Sequence, residues 1–169
     1  MSHPLRHIRR AYRILDRFTP LTTDCGALCD AACCKGDENT GMQLLPMEEK
    51  LLSSAGYTIK SANNTKYCIC SGNCDRVLRP FSCRIFPYFP VPVRLRSDQY
   101  AIRVLPDPRA LAVCPLLRNE SAQIDPHFLH AVARAGRELL KHPETREWLL
   151  DVAEQMQSIA ELQIKLGEK

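Results

Sequence analysis

A chain of 169 residues, 45% hydrophobic and 25% charged, carries enough apolar side chains for one ordinary core, which argues against a disordered, fibrous or membrane-embedded protein. Its net charge of +4 is uneven: residues 1–20 hold five arginines against one aspartate, 21–117 eleven basic residues against nine acidic, and 118–169 seven against nine. A basic excess gathered in one short segment argues against a nucleic-acid-binding domain, whose cations cover a whole face with aromatics interleaved.

Residues 4–18 place Leu5, Ile8, Tyr12, Leu15 and Phe18 at steps of three and four, with Arg6, Arg9, Arg10, Arg13 and Arg17 on the remaining faces. This predicts an amphipathic helix; the continuous stripe and Asp16 favour docking on a core over a transit peptide or a membrane-surface helix. Residues 19–40 turn to Pro, Thr, Asp, Gly and Cys, the composition of an irregular loop. A short helix should start at Pro46, with Glu48 and Glu49 at its positive end and Gly56 at its exit. Residues 57–60 suit a short strand, and 61–92 return to loop chemistry with Asn63, Asn64, Gly72, Asn73 and several prolines.

Val91 to Leu95 and Tyr100 to Val104 predict a β-hairpin, with Pro90 and Pro92 confining its first strand to an edge or a bulge. Two helices follow, entered through Asp125 and Pro126 and through His142 and Pro143, with His142 standing in as an N-cap. In the second, Trp148, Leu149, Val152, Met156, Ile159, Leu162 and Leu166 form a core or dimer stripe. No run approaches the roughly 18 apolar residues of a membrane span. The first twenty residues carry no secretory apolar region, so a cytoplasmic location is expected.

Nine cysteines set this chain apart. Cys25, Cys29, Cys33 and Cys34 are spaced C-x3-C-x3-C-C; Cys68, Cys70, Cys74 and Cys83 form a second group; Cys114 stands before Pro115. In a reducing cytosol an odd number of closely spaced cysteines points to metal ligands or redox groups rather than structural disulfides. Thiolates suit zinc, iron in clusters and cuprous copper. Their charge needs compensation, for which Arg79, Arg84 and Lys35 are placed near the cysteines. Adjacent Cys33 and Cys34 suit one tetrahedral ion poorly, because neighbouring side chains diverge; they more naturally serve two metals, or one binds and the other packs. The spacing matches neither the C-x2-C knuckle of zinc ribbons nor the run of bacterial ferredoxins.

Taken together, Cys25, Cys29, Cys33 and Cys34, the downstream pair ending at Cys74, Arg79-Pro80-x-x-Cys83-Arg84 with Pro87, and Cys114-Pro115 resemble the zinc- or iron-chelating cysteine-cluster proteins, the CxxCxxCC or YkgJ-like group. The resemblance covers about residues 25–115 and implies eight metal-binding cysteines: Cys25, Cys29, Cys33, Cys34, Cys74, Cys83, Cys114 and one of Cys68 or Cys70. Asp75, Arg76, Val77 and Leu78 stand where the family usually has a tyrosine and one residue more. A similar cluster occurs in the longer flagellin lysine N-methylases, but this chain has no glycine-rich nucleotide loop.

Catalysis finds little support. His3, His7, His127, His130 and His142 lie in no local motif, and His127 and His130, three apart on a helix, lack matching carboxylates. The expectation is therefore one α+β, mostly helical domain over 1–169: an N-terminal helix in 1–19, a cysteine-rich irregular metal-binding centre with a β-hairpin in 20–117, and two bracing helices in 118–169. It would carry an iron–sulfur cluster for electron transfer or redox sensing, or else zinc as a structural or metal-handling interaction module, with a protein redox partner and no nucleic acid.

Overall fold

A computed structural model of the chain describes residues 3–23, 25–34, 41–52, 56–70, 75–97, 99–119 and 122–167. Cys74, Lys35, Gly72 and Asn73 lie outside them. The first helix, α1 (Pro4–Leu15), starts with proline in its first turn and the His3 ring accepting from the Leu5 amide. Its stripe is docked as expected: Ile8, Ala11 and Leu15 are buried, with Leu5, Tyr12 and Phe18 packed beside them.

The described residues of 19–48 are irregular apart from α2 (Cys25–Cys29), a 3-10 turn (Ala32–Cys34) and β1 (Met42–Gln43). The helix expected from Pro46 starts only at Glu49, as α3 (Glu49–Leu52), because Met47 adopts a left-handed φ of 66° that a helix cannot use; residues 53–55, before the expected exit at Gly56, lie outside the described residues. The expected strand is present as β2 (Thr58–Ala62), but the loop expected to follow is not. Asn63 and Asn64, both with positive φ, make a two-residue turn into β3 (Thr65–Ile69), since asparagine tolerates the left-handed region that tight hairpins need. β3 is the centre of a three-stranded antiparallel sheet, β1-β3-β2. Gly41 lies close against β3: a Cβ there would stand 3.0 Å from Cys68 O and would displace the end of the Ile69 side chain.

α4 (Phe81–Ile85) also replaces expected loop; Phe81 and Ile85 give it a buried face. The hairpin forms as β4 (Tyr88–Arg96) and β5 (Gln99–Pro106), longer than expected and with a register shift between Arg94 and Arg96. A two-stranded sheet has only edges, so Pro90 and Pro92 interrupt no central ladder. After α5 (Pro115–Arg118) come α6 (Pro126–Leu139), capped by Asp125, and α7 (Pro143–Gly167). The fold is α+β and mostly helical, with two small antiparallel sheets.

α1, α6, α7, α4 and the hairpin close one core around Ile8, Phe81, Phe89, Phe128, Leu139, Trp148 and Leu149. α1 and α6 run antiparallel: the Asp125 amide donates to Pro20 O at 2.9 Å at one end, and His7 Nδ1 lies 2.9 Å from Glu138 Oε1 at the other. The α7 stripe is core only as far as Met156, with Leu162 and Leu166 exposed beyond it. His142 stands at the N-cap position of α7, its carbonyl accepting from the Arg146 amide at 2.9 Å, but its ring does not cap through Nδ1, which is unbonded; the ring is buried beside His7, 5.8 Å between centroids. Among the described residues no helix is long and apolar enough to cross a membrane.

Candidate metal centre

α2 is a single turn, so Cys25 and Cys29 lie on one side of it, and the Cys29 thiol donates to Cys25 O at 3.5 Å. Asp30 and Ala31 then take left-handed φ values of 49° and 51°, reversing the chain into the 3-10 turn that carries Cys33 and Cys34. Contrary to the expected divergence, the Cys33 and Cys34 sulfurs are 3.9 Å apart. That is close to the ~3.8 Å edge of a tetrahedron built on Zn–S bonds of about 2.3 Å. The tight 3-10 turn lets both side chains rotate their sulfurs to the same side.

The remaining cysteines come from separate elements. Cys68 is buried on β3 between Met42 of β1 and Ile59 of β2. Cys70 follows two residues later, Cys83 lies on α4, and Cys114 is buried at the start of α5. They meet at two adjoining cavities. The first, about 80 Å³, is lined by Cys25, Cys29, Cys33, Cys83 and Cys114 together with Arg76, Arg79 and Arg84. The second, about 90 Å³, is lined by Cys33, Cys34, Cys68, Cys70 and Cys83 with Arg79. Cys33, Cys83, Arg79 and Phe86 belong to both walls, and every described cysteine reaches one cavity or the other. Each space exceeds the roughly 15 Å³ that admits a single water.

None of the eight described cysteines is in a disulfide. The described residues contain no group of three or more His, Cys, Asp or Glu side chains closed to the geometry of a metal site. The donors are of the thiophilic kind in chemistry, while among the described residues their spacing is that of side chains around a space. Their electrostatics reflect crowding. The Cys34 sulfur beside it, partial desolvation of the sulfur in a residue exposed overall, and the nearby Cys25 and Cys29 all push the Cys33 thiol far above its usual range. Burial raises Cys114 too, with the Leu116 and Leu117 amides opposing it and Cys29 adding to it. These thiols ionise together only beside a cation.

Arg84 is buried and turned to oxygen. Its Nε donates to Arg79 O at 2.7 Å, Nη2 to Val77 O at 2.6 Å and Nη1 to Asp16 Oδ1 at 2.7 Å, while its guanidinium carbon stands 4.1 Å over the Tyr12 ring. It clamps the 77–79 turn to α1 and presents positive charge to the first cavity. Arg79 is extended before Pro80, φ −63° and ψ 135°, as the following proline requires. Arg76 Nη2 donates to Phe18 O at 2.5 Å.

Sequence reasoning missed the carboxylate beneath α4. Glu48, assigned to a helix dipole, is fully buried and accepts from the Leu45 amide at 2.8 Å, the Phe81 amide at 2.6 Å and the Tyr12 hydroxyl. Burial raises its pKa against those three bonds and the Arg84 charge. Burial and the Glu48 carboxylate push the Tyr12 phenol well above its usual value. Pro80 supplied a signal, since α4 follows a residue with no side-chain cap and its first amide must find an acceptor elsewhere.

No family model, no curated protein and no solved structure matches the chain.

Proposed function

We propose that this is a metal-binding cysteine-cluster protein of the YkgJ-like kind, carrying an iron–sulfur centre for electron transfer or redox sensing. The observation that carries the reading is the convergence of eight cysteines, from both sequence groups and Cys114, on two adjoining cavities. Cys25, Cys29, Cys33, Cys83 and Cys114 would serve the first space, and Cys33, Cys34, Cys83 with Cys68 or Cys70 the second. Cys74 completes the expected set from outside the described residues. Iron–sulfur chemistry would supply a one-electron couple there. Arg76, Arg79 and Arg84 set positive charge in the first wall, offsetting thiolate charge.

The second reading is zinc in a structural or metal-handling module, favoured by the 3.9 Å between the Cys33 and Cys34 sulfurs. Elemental analysis and a visible spectrum of anaerobically purified protein decide between them. Iron with acid-labile sulfide supports the first reading, stoichiometric zinc without visible absorption supports the second, and absence of both metals overturns the proposal. Cys83→Ser and Cys33→Ser should each lower metal content more than a change at any other described cysteine, because these two line both cavities.

A further inference from the structure

Charge counted by segment hides a surface that the fold assembles. On α1 and the turn after it, Arg6, Arg9, Arg13 and Arg17 are exposed, and Arg10 is half-buried beside them. At 100° per residue these five fall within about a third of the helix circumference. On α6 and the turn after it, His127, His130, Arg134, Arg137 and Lys141 are the exposed residues of a second stripe. The two helices pack antiparallel against each other. Arg10 Nη1 and Lys141 Nζ reach the two oxygens of one buried carboxylate, Glu138, at 3.3 and 2.5 Å, which joins the stripes at that end. Arg17 and His127 line one shallow cavity at the other end. Among the described residues the acids on this side are spoken for: Glu138 is buried among cations, Asp16 bonds Arg84, and Asp125 caps α6. The negative counterpart is α7, where Glu144, Glu147, Asp151, Glu154 and Glu161 are exposed.

We infer that the α1–α6 face binds duplex nucleic acid through its phosphate backbone, without sequence preference. The choice of partner follows from what the face lacks. None of the exposed large hydrophobic residues lies on α1 or α6. The face therefore offers no apolar wedge for a bilayer, no aliphatic or aromatic anchor for a protein hot spot, and no stacking platform for single strands. What remains is an array of cations, mostly arginine, whose planar forks match phosphate. The helices extend ~20 Å at 1.5 Å per residue and lie about 10 Å apart. A duplex carries one charge per ~1.7 Å, so that length spans roughly a dozen phosphates.

The test is fluorescence anisotropy of labelled mixed-sequence 20-base-pair DNA and RNA duplexes titrated with the full chain over a salt series. Wild type should bind either duplex at low salt with a steep loss of affinity as salt rises. The double variant Arg13→Gln/Arg134→Gln, with an unchanged melting curve, should lower the slope of log K against log salt by about 1.8, at roughly 0.9 per lost contact. Lys60→Gln/Lys165→Gln, which removes the same charge from β2 and α7, should leave the slope unchanged. Equal effects of the two pairs, no binding to either duplex at low salt, or tighter binding to vesicles rich in anionic lipid would each overturn the inference. Low-salt self-association lost in the Arg13/Arg134 variant without duplex binding would overturn it too, assigning the face to α7 of a second copy.

Discussion

In α6 seven of fourteen residues are buried, whereas in α2 and the 3-10 turn that follows it none is. The two regions carry different kinds of information. α6 is held by its own apolar face against α1 and the hairpin, where burial contributes about 25 cal/mol per Å². The Cys25–Cys34 segment has no such face, and two of its residues, Asp30 and Ala31, sit in a left-handed region that costs roughly 1–2 kcal/mol each. It is positioned by backbone bonds such as Ala31 N to Gly26 O at 2.9 Å, and in our proposal by what its thiols bind. The frame should then be indifferent to metal and the cysteine segment dependent on it.

The largest test of that contrast is Phe128→Ala. Phe128 is fully buried on α6, its ring edge-on to Tyr88, and truncation should cost about 3–5 kcal/mol in urea unfolding. The loss should be the same before and after chelator treatment. A loss that shrinks when metal is removed would break the comparison, because it would make the frame subordinate to the centre.

Next is the carboxylate linking the regions. Glu48→Ala leaves two buried amides, Leu45 and Phe81, without their acceptor and should cost about 3 kcal/mol, at roughly 1–3 per unsatisfied group. Its pH behaviour opposes that of Glu138. Burial raises the folded Glu48 pKa, so its charged form destabilises the fold above that pKa. The penalty is relieved as pH falls toward the unfolded value of about 4.3. Burial also acts to raise Glu138, but bonds from Lys141, His7 and Arg10 outweigh it and hold the carboxyl low. Its contribution is present above the unfolded value of about 4.3 and lost as pH falls through the depressed folded one. Urea midpoints from pH 7 to 3 should show Glu48→Gln without the wild-type gain on mild acidification. Glu138→Gln should lose less than wild type at the acid end. Superimposable profiles would remove both assignments.

The same division explains what was legible. Helices with caps and apolar periodicity, α1, α6 and the first half of α7, were readable because one stripe meets one core. The exposed end of α7, with Leu162 and Leu166, carries the same periodicity but runs past the core, and pattern alone does not say where packing stops. β3 was hidden because Asn63-Asn64 reads equally as loop or as tight turn until both residues prove left-handed. The cysteine spacing announced thiol chemistry, yet the two cavities, the oxygen partners of Arg84 and the burial of Glu48 all depend on contacts across 30 residues or more or on the packing of separate elements. The basic face was invisible for the same reason: its two stripes lie more than a hundred residues apart in the chain.

Gly136→Ala should produce a smaller effect, confined to the frame. A Cβ there would meet Pro90 Cβ at 2.6 Å and Ile102 Cδ1 at 3.2 Å, so α6 must lift from the hairpin. Overpacking of this kind costs about 1–3 kcal/mol. Thermal melts should show the loss with metal content unchanged, and a parallel fall in metal content would mean that the hairpin positions the cysteines.

Cys33→Ser should have the smallest effect on the bare chain and the most informative one on the loaded protein. Cys33 is exposed, its turn buries no residue, and serine is nearly the same size, so in chelator-treated protein the change should stay within about 0.5 kcal/mol. Ligation reverses the expectation. Cys33 lines both cavities, its sulfur is 3.9 Å from Cys34, and its thiol is strongly raised by that neighbour. A bound cation would have to overcome that shift, so binding at Cys33 would release a proton and link metal affinity to pH. Protein purified with its metal should therefore lose metal and melting temperature together on Cys33→Ser, and should release fewer protons on reloading. An equal loss of stability with and without metal would make Cys33 a packing residue and move the centre to the remaining thiols of the second cavity.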